Sequence, residues 1–386
     1  MWHNKTKLIF SVILMLFIVF FSGCNLSNRY GNHVYKSEKD VKLSSINYHE
    51  IDFHSVFKGT DITKDLGYIS AFGDDVVFSI GSGELPEGKL TGLTYLNNLI
   101  VYNLATNSVE CVCTPDKNFL QIVGSLDNDW IVYKELENEN GLPEKIYEVE
   151  KNTGKKRLLY NSVNETSLEG EDSFFHLADN TLFLVILKFY KNKSKIEIYK
   201  VDLKTLNKVK LFTKESDSVT FNMLNESLNK SYAVFNCSKK MNSSVCAYYF
   251  DKKVFKKFFE VDKNMSRIQL PVVTPDDFVI LEKYTSLGNV NNYVVAIQLL
   301  NSENRKTYKV DMVNIKASND YVVGQSLHGV IVIDRHTDKI YNIIEDRGDE
   351  IYELGLFKDL LFLAFVDKNG KKHLVYVDLR ESLGSP

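Results

Sequence analysis

Leu126–Glu135 reads LDNDWIVYKE, with two carboxylates, Asp127 and Asp129, just ahead of a tryptophan and an apolar run. Alone, the pair could be an acid/base couple, half of a metal site, or a turn. Its echoes decide. GDDVVFS occurs at Gly73–Ser79, ADNTLFLVIL at Ala178–Leu187 and NKSYAVFN at Asn229–Asn236. PDDFVILEK follows at Pro275–Lys283, SNDYVVG at Ser318–Gly324 and FKDLLFLAF at Phe357–Phe365. The residue before each apolar run is Asp75, Asp129, Asn180, Lys230, Asp277, Asp320 and Asp359, at successive gaps of 54, 51, 50, 47, 43 and 39 residues. Asp and Asn suit hairpin turns because their side chains bond nearby backbone and tolerate unusual φ. One copy carries Lys230, which a carboxylate required for chemistry in every repeat would not permit.

A second motif follows each copy, as in IYEVEKNTGKKRLL, IYKVDLKTLNKVKLF and VIVIDRHTDKIYNI: an apolar strand, a polar turn and a return strand. A fixed-order repeat of about 40 to 50 residues, all strands and turns, predicts a β-propeller. Each unit reads as four strands, A to D, with B and C apolar on both faces, as a blade packed between two neighbours requires. The last unit ends after its third strand. The alternating segment YHEIDFHSVF (Tyr48–Phe57) precedes the first unit without a partner. Pairing the two closes the ring and removes the sheet edges. The count is seven blades, with six or eight as alternatives because the sixth unit is short. In repeat style the chain resembles the bacterial extracytoplasmic TolB-like and YncE-like propellers.

The N-terminus carries an address. Lys5 and Lys7 precede the uncharged LIFSVILMLFIVFF (Leu8–Phe21), then Ser22, Gly23 and Cys24. Fourteen apolar residues are short for a spanning helix, which needs about 20. A basic region, a short apolar core and small residues at a cleavage point make a secretory leader. The F-S-G-C run resembles the lipobox of bacterial lipoproteins, with Phe21 in place of the usual Leu. The resemblance implies residues 1–23 as signal peptide and Cys24 as a lipidated N-terminus on the outer face of the cytoplasmic membrane. An uncleaved anchor helix is the alternative, and it puts the rest of the chain on the same side. Residues 24–47 are polar and read as a tether, leaving 48–386 as one propeller domain.

Net charge is −3 over 386 residues, and becomes −5 once Lys5 and Lys7 are removed; no basic block suggests nucleic-acid binding. Cys237 and Cys246 flank a hairpin turn, where their side chains could face each other, and an oxidising compartment would permit a disulfide. Cys111 and Cys113 lie two apart on one strand and read as small apolar residues.

In a propeller the A–B and C–D turns share one face, and the B–C and D–A loops share the other. Two neighbouring B–C loops are long and repeat Leu-Pro-Glu: Leu85-Pro86-Glu87 and Leu142-Pro143-Glu144. They suggest a partner-binding rim containing Glu84, Glu87, Tyr95, Glu135, Glu137 and Glu144. Catalytic motifs are absent. GQSLHG (Gly324–Gly329) departs from G-x-S-x-G at His328 and joins two strands, so Ser326 lacks the nucleophile-elbow context. No cofactor or metal set is expected, and His336 and His373 have no partners in sequence. Three functions stay open: a scaffold for an envelope protein or wall polymer, an enzyme on envelope polysaccharide or peptide, and a small-molecule sensor using the central channel. Convergent acids or histidines in the channel would count against a pure scaffold.

Overall fold

The computed structural model describes residues 34–35, 39–51, 65–81, 98–113, 122–136, 144–162, 168–217, 220–239, 242–260, 265–268, 271–285, 291–299, 305–310, 312–326, 329–344 and 350–384. Seven sheets follow one another along the chain, one per repeat. Blade 1 spans Asp65–Cys113, blade 2 Ile122–Asn161, blade 3 Leu168–Ser216 and blade 4 Thr220–Glu260. Blade 5 spans Met265–Lys309, blade 6 Val313–Ile344 and blade 7 Glu350–Asp378. The architecture is an all-β, seven-bladed propeller.

Each strand B is apolar on both faces because both are covered. Val76, Val77 and Phe78 are fully buried, as are Val322, Val323 and Val234. The core is therefore split into seven clusters, one in each seam between blades. The turns ahead of strand B latch neighbouring blades. Asp127 Oδ1 accepts from the N–H groups of Asp129 (3.0 Å) and Trp130 (2.9 Å), and its Oδ2 accepts from Asn180 N–H of the next blade (2.9 Å). Trp130 Nε1 donates to Asn180 Oδ1 at 2.9 Å. Ion pairs repeat the device: Asp75 with Lys151, Asp179 with Lys230 at 3.3 Å, and Asp277 with Arg335. The turns that count the blades also staple them, through the counting residues Asp75 and Asp277 and through the neighbouring Asp127 and Asp179.

Ring closure follows the sequence reading. Strand β3 (His49–Glu50) runs antiparallel to Lys372–Asp378, pairing His49 with Tyr376 and Glu50 with Val375. Ile51 N–H continues the ladder to Leu374 O at 2.9 Å, and Ile51 is buried in the seam between blades 7 and 1. His373, unpartnered in sequence, reaches Glu50 at 2.8 Å and Asp367 at 3.3 Å. The rest of the closing segment, Asp52–Phe57, lies outside the described residues. After strand C the chain turns into a helix, Leu379–Leu383, capped by Asp378.

The segment read as a tether is part of the fold where it is described. Strand β1 (Val34–Tyr35) lies parallel to Arg305–Lys309 of blade 5, and β2 (Lys39–Lys42) lies parallel to Ile340–Ile344 of blade 6. Leu43 and Ile46 are buried between blades 6 and 7. The domain boundary thus moves N-terminal of residue 48, because these two apolar side chains seal a seam.

Candidate functional site

The innermost strands surround a central cavity of about 790 Å³ that opens at the A–B turns and is lined by all seven blades. Its position in the repeat is simple. Counting back four residues from Asn180, Lys230 and Asp320 reaches His176, Glu226 and Lys316, all on the cavity wall. The same position elsewhere holds Ala71, Ser125, Val273 and Gly355. Three blades thus place ionisable groups where the others place small or apolar ones.

Glu226 is held by a clamped turn. Residues Asn225–Ser227 form a 3-10 turn whose Asn225 Oδ1 accepts from Phe175 N–H of blade 3 at 3.0 Å. Ser227 Oγ donates to Pro271 O of blade 5, fixing the other side. Glu226 then meets Lys316 Nζ of blade 6 at 2.5 Å, with side chains 29% and 18% exposed, so the pair is partly wetted by the channel. Burial opposes the charge on Glu226, but Lys316 more than offsets it and keeps the carboxyl below its usual range. Burial likewise disfavours charged Lys316, while Glu226 and Glu353 hold it protonated above its usual range. Glu353, on the inner strand of blade 7, is raised by burial, with Lys316 opposing. His176 is lowered to about 4 by burial and by Lys230, so its imidazole is neutral at pH 7.

The mouth is ringed by charge of both signs. Lys230, Lys316, Lys358 and Arg380 face Asp179, Glu226, Asp320 and Asp359, four against four. Arg380 reaches Asp359 at 3.0 Å and Asp320 at 3.9 Å. Phe72, Phe175, Phe357 and Leu228 supply apolar surface between them. This wall suits a compact ligand with little net charge, polar groups on one side and an apolar face on the other.

The proposed rim fares differently. Glu84, Leu85, Pro86, Glu87, Tyr95, Glu137, Leu142 and Pro143 lie outside the described residues, as does Cys24. Glu135 and Glu144 are described, and they are not loop residues: they sit on strands and are 1% and 3% exposed. Lys134 Nζ, 9% exposed, reaches Glu144 Oε1 at 3.2 Å, Asp172 Oδ1 at 3.3 Å and Ser173 O at 2.9 Å, across the seam between blades 2 and 3. Ser173 Oγ also donates to Glu144, and Lys156 pairs with Glu135 at 3.2 Å. The buried Lys134 draws Glu144 inward, and Glu135 is held on its own strand by the half-buried Lys156. Burial pushes Glu144 up to about 7; Lys134 opposes and Asp172 adds to the shift.

Cys237 and Cys246 are unbonded, buried thiols. The hairpin register pairs Cys237 with Ser244 and Cys246 with Phe235, so the cysteines are diagonal on one face and not directly opposed. Contact with Cys246, together with burial, raises the Cys237 thiol. Among the described residues no group of three or more His, Cys, Asp or Glu is arranged to hold a metal, and no helix is long and apolar enough to cross a membrane.

No protein-family model matches the chain, and no curated protein matches it in sequence. Solved structures do. An oligogalacturonate lyase in complex with manganese superposes with a TM-score of 0.56 at 12% identity, over 81% of this chain and 88% of that one. The β-propeller domain of the trilobed protease from Pyrococcus furiosus, described as an open velcro topology, gives 0.54 at 11% identity, over 85% and 99%. A prolyl endopeptidase gives 0.52 at 12% identity, over 80% of this chain and 47% of that one, so this chain spans about half its length. At such identities the likeness is one of fold.

Proposed function

We propose that this protein is an extracytoplasmic propeller, anchored to the membrane through a lipidated Cys24, that binds a compact wall-polymer fragment in the mouth of its central channel. The observation that carries the reading is the channel wall. A pure scaffold needs only a smooth channel and an apolar patch, whereas Glu226 and Lys316 pair on this wall, Glu353 lies close enough to act on Lys316, and His176 stands neutral on the same wall. The balanced charge of the mouth favours a ligand that is neutral or zwitterionic, and the wall's apolar faces favour a sugar or a short peptide end.

The test is thermal. The purified full chain is melted with and without soluble fragments of digested cell wall. A binding fraction raises the melting temperature, by the equivalent of about 2.7 kcal/mol at a hundred times its Kd. The double variant Glu226→Gln/Lys316→Met removes both members of the ion pair, leaving nearby only Glu353, which burial already biases toward its neutral form, and should lose that rise while still folding. If no fraction raises the melting temperature, or if the variant responds like wild type, the reading fails.

A second reading is turnover of the same ligand. A neutral His176 has the lone pair a general base needs, and burial shifts Glu353 in the direction a general acid needs. The fold neighbours, a lyase and two peptidases, are compatible with it. Mass spectrometry of the fragments after incubation separates the two: new products mean catalysis, and unchanged fragments mean binding.

A further inference from the structure

We infer that the C–D turns of blades 2, 3 and 4 form a membrane-contacting surface that rests on anionic phospholipid headgroups. The first ground is charge. Residues 150–156, 202–208 and 249–255 hold seven Lys or Arg against three Asp or Glu, in a chain whose net charge is −3. The matching turns of blade 1 (103–109) and blade 6 (334–340) hold none of either sign and two of each. Lys151, Lys156 and Arg157 are drawn to carboxylates of the propeller, Asp75, Glu135 and Glu148. Lys155, Lys204, Lys208, Lys252 and Lys253 are exposed. Lysines that merely protect sheet edges would appear on every open edge. Ser108–Cys113, the outer strand of blade 1, is also an edge and carries none.

The second ground is apolar exposure on the same turns and at the strand starts that follow them. Leu206, Val209 and Val254 are 44%, 48% and 49% exposed. Leu206 is out of place for its backbone. The fifth residue of each C–D turn among the described residues has positive φ: Asn107 (53°), Gly154 (65°), Leu206 (58°), Lys253 (53°) and Asp338 (58°). That conformation favours Gly, Asn and Asp, which fill the position in blades 1, 2 and 6. Blades 3 and 4 instead present a leucine and a lysine, the two side chains that a headgroup layer with an apolar interior accepts.

The third ground is where the chain enters. Strand β1 is parallel to the outer strand of blade 5, with Val34 beside Thr307, so β1 starts from the C–D-turn end of that strand. Cys24 stands ten residues before Val34, within about 35 Å at full extension. Blade 5 adjoins blade 4, so a lipid on Cys24 and the basic turns address the same side. Contact along three of seven blades tilts the disc and leaves the channel mouth open on the side of blades 6, 7 and 1.

The test reads depth with tryptophan. Full-length Leu206→Trp and Lys368→Trp proteins are reconstituted into vesicles containing brominated phosphatidylglycerol; Lys368 is exposed on the opposite face, in the turn after Leu360–Val366. The tryptophan at 206 should be quenched, the one at 368 should not, and salt should reverse the effect. Adding Lys204→Glu and Lys253→Glu should weaken the docked state by about fivefold per lysine. Equal quenching at both positions, or equal quenching in brominated phosphatidylcholine, overturns the assignment. If the protein floats with the vesicles while both tryptophans stay bright, the anchor stands and the docking surface does not. If 206 responds only to soluble poly(glycerol phosphate), the face binds polymer and the membrane assignment is overturned.

Discussion

Replacing Glu144 with Gln removes a carboxyl whose ionisation the fold resists. Its side chain is 4% exposed in the seam between blades 2 and 3. Burial is the largest cause of its titration at about 7 instead of 4.5, with Lys134 and Ser173 only partly offsetting it. The folded protein therefore holds this proton more tightly than the unfolded chain does. Such a group supports stability fully below pH 4.5, and the support disappears as pH rises through 7. The interval corresponds to about 3 kcal/mol. Gln keeps the volume and an acceptor for Lys134 but cannot titrate. The stability of wild type minus that of Glu144→Gln should therefore fall by about 3 kcal/mol between pH 4.5 and 7.5, and be level on either side. Urea unfolding of the two full-length proteins, followed by far-ultraviolet circular dichroism at close pH intervals, measures it. Taking the difference matters because His176 acts with the opposite sign. Its depressed value of about 4 gives stability that is present above pH 6.5 and lost as pH falls through 4. A difference that stays constant, or that grows with pH, refutes the account of a carboxyl stranded by burial.

Further outcomes follow from the seams and the anchor. Asp127→Ala loses three hydrogen bonds, one of them to the next blade, and should cost about 2–4 kcal/mol in thermal melts, whereas Asp129→Ala should stay within about 0.5 kcal/mol. Deleting Tyr48–Phe57 uncovers the edge of blade 7 and should convert the monomer to aggregates on size-exclusion chromatography. A truncation that stays monomeric and equally stable would mean the ring does not need this strand. Cys24→Ser should move the protein from the membrane to the soluble fraction; retention at the membrane would point to an uncleaved anchor helix.

The blades were legible because strand B must be apolar on both faces and its turn must contain residues that tolerate that turn. Those constraints recur seven times, so Asp129 and its counterparts could be aligned without coordinates. Closure by the segment at His49 was legible for the same reason, a missing fourth strand and a spare one. The burial of Leu43 and Ile46 was not, because two apolar residues in a polar stretch carry no period. Glu144 was misplaced because a Leu-Pro-Glu echo suggests a loop, and Glu135 because it stands at the start of the same polar stretch, while the lysines that pair with them, Lys134 and Lys156, read as ordinary surface charges. The channel residues were hidden by distance: His176, Glu226 and Lys316 lie 50 and 90 residues apart and meet only once the ring closes. The signal existed, four residues before the turn position, but strand A is the most variable of the four and shows its inner face only against its six counterparts.

The course of the N-terminal strands has a mechanical consequence. β1 and β2 each run parallel to the blade strand they join, so a pull toward the C–D-turn face acts along their length. Their hydrogen bonds are then sheared together, and are not peeled one at a time. Force reaches the closing pair of His49 and Tyr376 only after blades 5 and 6 have let go. A leash tied straight to the closing strand would unzip the ring. Routed across two blades first, it spares the seal any pull applied from the N-terminal side.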